Sequence, residues 1–160
     1  MPDKEKMTII VFSGEMDKVL AAFNIAIGGA TSGMDVTMFF TFWGLNVLKK
    51  MKGSPRSNGI MRKMLNIMNR GGANRLPLSK FHMLGIGKWM MQKLMKDINF
   101  PQVQELMDTA KEFGVKFMAC TTTIGMMGLT KEAFISDVDS FAGVATYIAD
   151  AQESKVNLFI

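Results

Sequence analysis

Four short apolar runs, separated by segments whose apolar residues recur every three or four positions, constrain this chain more than any other feature. Met7 to Phe12 (MTIIVF) is rich in β-branched residues and ends at Ser13-Gly14, the pattern of a strand buried on both faces. Asp17 to Ser32 follows with Val19, Leu20, Phe23, Ile27 and Ala30 at helical spacing and Gly33 beyond its end. Met34 to Phe40 predicts the second strand, and Phe42-Trp43-Gly44 stands at its carboxyl end before a short helix to about Lys50. Pro101 to Phe113 predicts a helix that opens on proline and closes at Gly114. Val115 to Cys120 then predicts a strand, Phe141 to Ala151 a helix, and Val156 to Ile160 a last strand. Strands alternating with helices require crossover connections between parallel neighbours. The expected fold is therefore α/β: a three-layer sandwich, flavodoxin/Rossmann-like, on a mostly parallel sheet of four or five strands.

A chain of 160 residues suits one domain spanning 1–160, with one well-buried core. Its 48% hydrophobic and 21% charged residues exclude a disordered chain. One cysteine cannot close an intrachain disulfide, and no basic-then-apolar segment opens the sequence, so the expected compartment is the reducing cytoplasm. The 17 methionines are read mainly as adaptable core filler.

The alternation breaks at about 53–98, read as a basic helical insertion. From Lys49 to Ile98, twelve lysines and arginines stand against one acid, Asp97, while the remainder of the chain is net acidic. Gly53-Ser54-Pro55 and Gly71-Gly72-Ala73-Asn74 are turn-rich breaks. Between them Met61, Met64, Leu65 and Met68 form an apolar stripe opposite Arg62, Lys63 and Asn66, and a second basic amphipathic helix is expected over Leu84 to Ile98. Two readings stand side by side. Either the insertion docks an acidic protein or the surface of an anionic membrane, or its cations are simply solvated helix faces. Aromatics for stacking on bases are sparse there, namely Phe81 and Trp89, so no nucleic-acid partner is expected. No run is long and apolar enough to span a bilayer.

Parallel sheets bind ligands outside the carboxyl ends of their strands. Those ends carry Ser13-Gly14, Thr41-Phe42-Trp43-Gly44 and Cys120-Thr121-Thr122-Thr123, of which Cys120 alone is a strong nucleophile. Amide hydrogens and a helix dipole there favour a thiolate. The opposing reading is a buried structural thiol, and spacing leaves both open. One cysteine and one histidine, His82, do not make a structural zinc site. His82 is expected on a helix face or loop. Gly28-Gly29 falls within or near the end of a helix, so it forms no dinucleotide fingerprint, and no phosphate loop is present. Gly125-Met126-Met127-Gly128 is expected to close a turn after the cysteine.

The segments VFSGEMDKVLAAFNIA, VTMFFTFWGLNVLKK, GVKFMACTTTIGMMGLTKEAFI and FAGVATYIADAQESKVNLFI together resemble the DsrE/DsrF-like sulfur-relay family over nearly the whole chain. The closest resemblance is to a subgroup labelled peroxiredoxin-like that carries a basic, methionine-rich insertion. The resemblance implies a homo-oligomeric cytoplasmic sulfur carrier or sulfurtransferase, with Cys120 holding sulfane sulfur as a persulfide for an acceptor sulfur-carrier protein. Thr121, Thr122, Thr123, Ser13, Gly14, Phe42 and Trp43 would line the site. No cofactor or metal is implied. Two departures stand out: Gly125 occupies a position that is acidic in many relatives, and no second cysteine exists for an intrachain relay. The PxxxTxxC arrangement of a peroxidatic cysteine is absent before Cys120, so no peroxidase activity is expected. The alternative function is a non-catalytic scaffold that docks through the insertion, with Cys120 merely structural.

Overall fold

The computed structural model describes residues 4–51 and 59–160. Strand β1 (Lys6–Val11) leads through helix α1 (Met16–Thr31) to β2 (Asp35–Phe40), as the apolar periodicity predicts. A single helical turn, Phe42–Gly44, and the short α2 (Leu45–Leu48) follow. The insertion supplies α3 (Ile60–Met68) and α4 (Ile86–Asp97), and the Gly53-Ser54-Pro55 break lies outside the described residues. Helix α5 (Val103–Glu112), strand β3 (Lys116–Cys120), α6 (Thr121–Met127), β4 (Ser140–Ala142), α7 (Val144–Gln152) and β5 (Ser154–Phe159) complete the chain. Pro101 stands just before α5, where the carboxylate of Glu105 accepts the Gln102 N–H at 2.7 Å.

The sheet order is β4-β3-β2-β1-β5 and every strand pair is parallel. The α/β class and the parallel sheet of five strands are as expected. From β1 to β4 each successive strand is added on the same side of the last, and right-handed crossovers then send the intervening helices to one face. Only β4 to β5 steps back across the sheet, so its helix, α7, crosses the other face.

The two faces are accordingly unequal. Beneath α1 and α5, Ile9, Val11, Met38, Phe40, Phe117 and Ala119 join a core continuous with Val19, Phe23 and Leu106. Phe23 meets Phe40 and Phe117 at ring separations of 6.2 and 5.7 Å. Each such fully buried side chain contributes roughly 2–3 kcal/mol relative to exposure. The opposite face holds a much smaller cluster, Phe39, Met118, Cys120 and Tyr147, with Ile10 at its edge. Tyr147 stacks on Phe39 at 4.9 Å and is the one buried residue of α7. The strand period of two places Cys120 on this thin face, with Met118 before it.

Three expectations are corrected. Phe141 and Ala142 are not the start of a helix but belong to β4, which pairs Ala119 with Phe141 and Cys120 with Ala142 along the free edge of β3. A strand of three residues is too short to show a period, so only the pairing reveals it. Gly125 to Gly128 is not a turn but the end of α6, which Gly128 closes in a left-handed conformation at φ 65°. Methionine is core filler in the strands and in α1 and α5, but Met61, Met64, Met68 and Met90 of the insertion are exposed.

Candidate functional site at the end of β3

Cys120 is the last residue of β3 and immediately precedes α6. Its residue is only 2% exposed. The hydroxyl of Thr123, one turn into α6, donates to Sγ at 3.6 Å. Thr123 is itself buried and pairs with the Thr41 hydroxyl at 3.0 Å, while the Phe42 N–H donates to Thr123 Oγ1 at 3.4 Å. Burial pushes the thiol pKa up. The backbone N–H of Thr123, the hydroxyls of Thr123 and Thr41, and the N–H of Thr122 outweigh it, and the net shift is downward. A thiolate at Sγ is therefore favoured over that of an ordinary cysteine.

Sheet register explains the convergence. Phe40 pairs with Ala119, which sets Thr41, the residue that follows β2, beside Cys120 at the top of the sheet. Thr41 stands among the strand-end residues of the sequence but not among the expected lining residues, and its hydroxyl nevertheless acts on the thiol. Its signal is the adjacency of β2 and β3, a property of strand order and not of local sequence.

Of the expected lining residues, Thr123 reaches the sulfur by its side chain, and Thr122 acts through its backbone N–H. The side chains of Thr121 and Thr122 are exposed, with Thr121 Oγ1 lying toward Gly143. Phe42 contributes its N–H, and its backbone is held at φ 46°, a left-handed value unusual for a residue with a side chain. Trp43 is 43% exposed and touches the loop after β1 through its backbone. Gly14 packs there so closely that a Cβ would lie 2.5 Å from the Trp43 carbonyl oxygen, and one at Gly44 would lie 1.9 Å from that of Val11. Ser13 and Gly14 are thus packing residues of this end of the sheet. The Ser13 hydroxyl donates to the Glu15 carboxylate at 3.1 Å and accepts the Glu15 N–H at 3.1 Å, which orders the entry to α1. His82 lies in an exposed loop, where its Nδ1 accepts the Leu78 N–H at 3.4 Å.

The insertion flanks the site through α3, whose Asn66 amide donates to the Met127 carbonyl oxygen of α6 at 3.2 Å. A second tether runs to α1, where Asp17 accepts the Ser79 N–H at 2.9 Å. Lys49 departs from the picture of a solvated basic face: it is 6% exposed and donates to the Asn69 carbonyl oxygen at 3.2 Å.

Solved structures share this architecture at low sequence identity. The ychN protein from E. coli aligns over 99% of this chain and 100% of its own, with a TM-score of 0.55 at 10% identity. A protein of unknown function from Methanobacterium thermoautotrophicum, MTH1491, aligns over 97% of this chain and 99% of its own, with a TM-score of 0.53 at 11% identity. At these identities the likeness is one of fold. Sequence relatives reach further. The uncharacterized protein YrkE of Bacillus subtilis is 43% identical over 98% of this chain and 97% of its own length. The sulfur carrier protein DsrE2 of Allochromatium vinosum is 31% identical over 99% of both. The DsrE/DsrF/DrsH-like family profile matches residues 3–159, a span that takes in every strand of the sheet together with Cys120, and the chain therefore belongs to that family.

Proposed function

We propose that this protein carries sulfane sulfur on Cys120 and passes it to the thiol of an acceptor protein in the cytoplasm. The observation that carries the reading is the placement of the sole thiol at the end of β3 with Thr123 and Thr41 arranged to favour its anion. Family membership and the resemblance to a sulfur carrier protein support it. Loading is a displacement at sulfur. The Cys120 thiolate attacks the outer sulfur of a persulfide or polysulfide donor, a new S–S bond forms, and the donor's own S–S bond breaks with its inner sulfur leaving as a thiolate. Unloading repeats the step: the acceptor thiolate takes the outer sulfur and Cys120 departs as a thiolate. Two electron-pair transfers balance without an external oxidant or reductant.

Because Cys120 is nearly covered, both steps require local opening of the Thr41–Gly44 turn or of α6. Burial of the persulfide between steps shields it from adventitious thiols. The same burial is the observation that favours a second reading, in which Cys120 is structural and the protein is a docking scaffold.

Intact-mass measurement after exposure to polysulfide separates the two. Single-sulfur mass increments are expected on the wild type and none on Cys120→Ser. Thr123→Val removes one stabilising donor to the thiolate, and its alkylation rate at neutral pH is expected to fall severalfold to about tenfold. A wild-type protein that stays unmodified under conditions that load free cysteine sinks the carrier reading.

A further inference from the structure

A helix on the surface of a globular body ordinarily turns its apolar stripe inward. In both helices of the insertion only one edge of that stripe meets the core, Leu65 of α3 in part and Met95 of α4, and most of it faces solvent. In α3 the buried residue is Asn66, and the Arg62 stem lies against Gly128, whereas Ile60, Met64 and Ile67 are 86%, 57% and 58% exposed. In α4 Met95 is buried, and the half-buried Lys88 donates to the Asn74 carbonyl oxygen of the same insertion at 2.6 Å, while Trp89, Met90 and Leu94 are 62%, 53% and 59% exposed. Met61, Met64 and Met68 of α3 and Met90 and Met91 of α4 thus do not pack on the body.

The loop leading into α4 adds an independent observation. Phe81, Met83 and Leu84 have φ of 56°, 40° and 55°, and their exposures are 80%, 65% and 102%. Side-chain-bearing residues avoid this left-handed region. Here three of them adopt it while presenting apolar side chains to solvent, and no described residue covers them.

We propose that this face of the insertion is a membrane-docking surface, with α3, the Phe81–Leu84 loop and α4 seated in the headgroup layer of an anionic bilayer. Charge decides between a bilayer and a second copy of the same face. Among the described residues from Gly59 to Ile98, seven exposed lysines and arginines accompany the apolar side chains, against the single acid Asp97. Two such faces meeting would oppose like charges, whereas an anionic bilayer offers an apolar layer beneath a negative one. Lys93 lies 5.6 Å from the Trp89 ring, an aromatic and cation pair suited to the headgroup boundary. No helix of the described residues is long and apolar enough to cross, so the helices lie in the surface.

Vesicle co-sedimentation of the full chain tests this, with phosphatidylcholine alone and with phosphatidylcholine mixed with phosphatidylglycerol. Binding is expected on the mixture, weak on phosphatidylcholine, and reduced by salt. Substituting exposed residues together, Ile67→Ser, Leu84→Ser and Trp89→Ser, is expected to abolish it, and Lys93→Gln with Lys96→Gln to weaken it about tenfold. Circular dichroism and sulfur loading of Cys120 should be unchanged, so the outcome does not depend on the carrier reading. In a Trp43→Phe background, Trp89 fluorescence should be quenched by brominated lipid tails. The proposal is overturned if the wild type ignores anionic vesicles, if the triple variant binds as well as the wild type, or if Trp89 is not quenched. It is equally overturned if light scattering shows that the triple variant loses self-association while neither protein binds vesicles, which would make the face an interface between copies.

Discussion

Lys49 places an ammonium group inside the fold with the Asn69 carbonyl oxygen as its acceptor at 3.2 Å. Burial lowers its pKa from 10.5 to about 8. The unfolded chain keeps that proton up to the higher value and the folded chain only to the lower. Between them the unfolded state binds more protons, so stability should rise with pH across that window, by up to roughly 3 kcal/mol. Below it both states are charged, and the cost of burying the cation is present in full. Urea unfolding on either side of the lower value should show the rise, and Lys49→Met should flatten it without loss of stability at neutral pH. An unchanged slope in the variant would assign the rise to other groups. At this scale the local sequence reveals chemical type but not burial. Cys120 is visible as the sole thiol, yet Lys49 looks like any other lysine of a basic stretch, and Thr41 gains its role only from the strand beside it.

The elements follow the apolar period closely wherever packing and period agree. Helix α1 contains Gly28 and Gly29, and their surroundings separate two kinds of glycine. A Cβ at Gly28 would meet nothing within 4 Å, whereas at Gly29 it would lie 2.6 Å from Met7 Sδ and 3.2 Å from Val36 Cγ2. Gly28→Ala should therefore stabilise the protein by about 0.5–1 kcal/mol through helix propensity alone. Gly29→Ala must displace core side chains of β1 and β2 and should give no gain or a net loss. Thermal unfolding of the two variants checks this, and equal midpoints would show that the helix stands off the sheet. The sequence carries the period that makes α1 a helix, but which glycine faces β1 and β2 depends on how the helix is seated. Likewise β4 has no period of its own and exists because β3 offers it an edge.

For the whole molecule, crossover handedness leaves the α7 face of the sheet thinly covered. Val144 and Ile148 of α7 and Phe159 of β5 are 52%, 46% and 68% exposed, and Phe159 reaches Phe42 through the ring of Phe12. Exposed apolar area of this extent is unusual on a monomer. Self-association through the α7 face is expected, giving a light-scattering mass that is a multiple of the 17.8 kDa chain. Ile148→Glu should dissociate the assembly while leaving vesicle binding intact, because α7 lies outside the insertion. A monomer mass for the wild type at micromolar concentration would dispose of this expectation.

The sequence by itself determined the alternation of strands and helices, the parallel sheet that follows from it, the amphipathic insertion and the position of the one thiol at a strand end. These are legible because each rests on local periodicity or on the reach of a single side chain. Tertiary structure alone decided that β2 lies beside β3, bringing Thr41 to Thr123 and Cys120. It also decided that Lys49 is buried and that the insertion's helices turn most of their apolar side chains outward. An amphipathic pattern specifies two unlike faces but not which one meets the body; that choice belongs to partners far away in the chain, such as Met127 for Asn66.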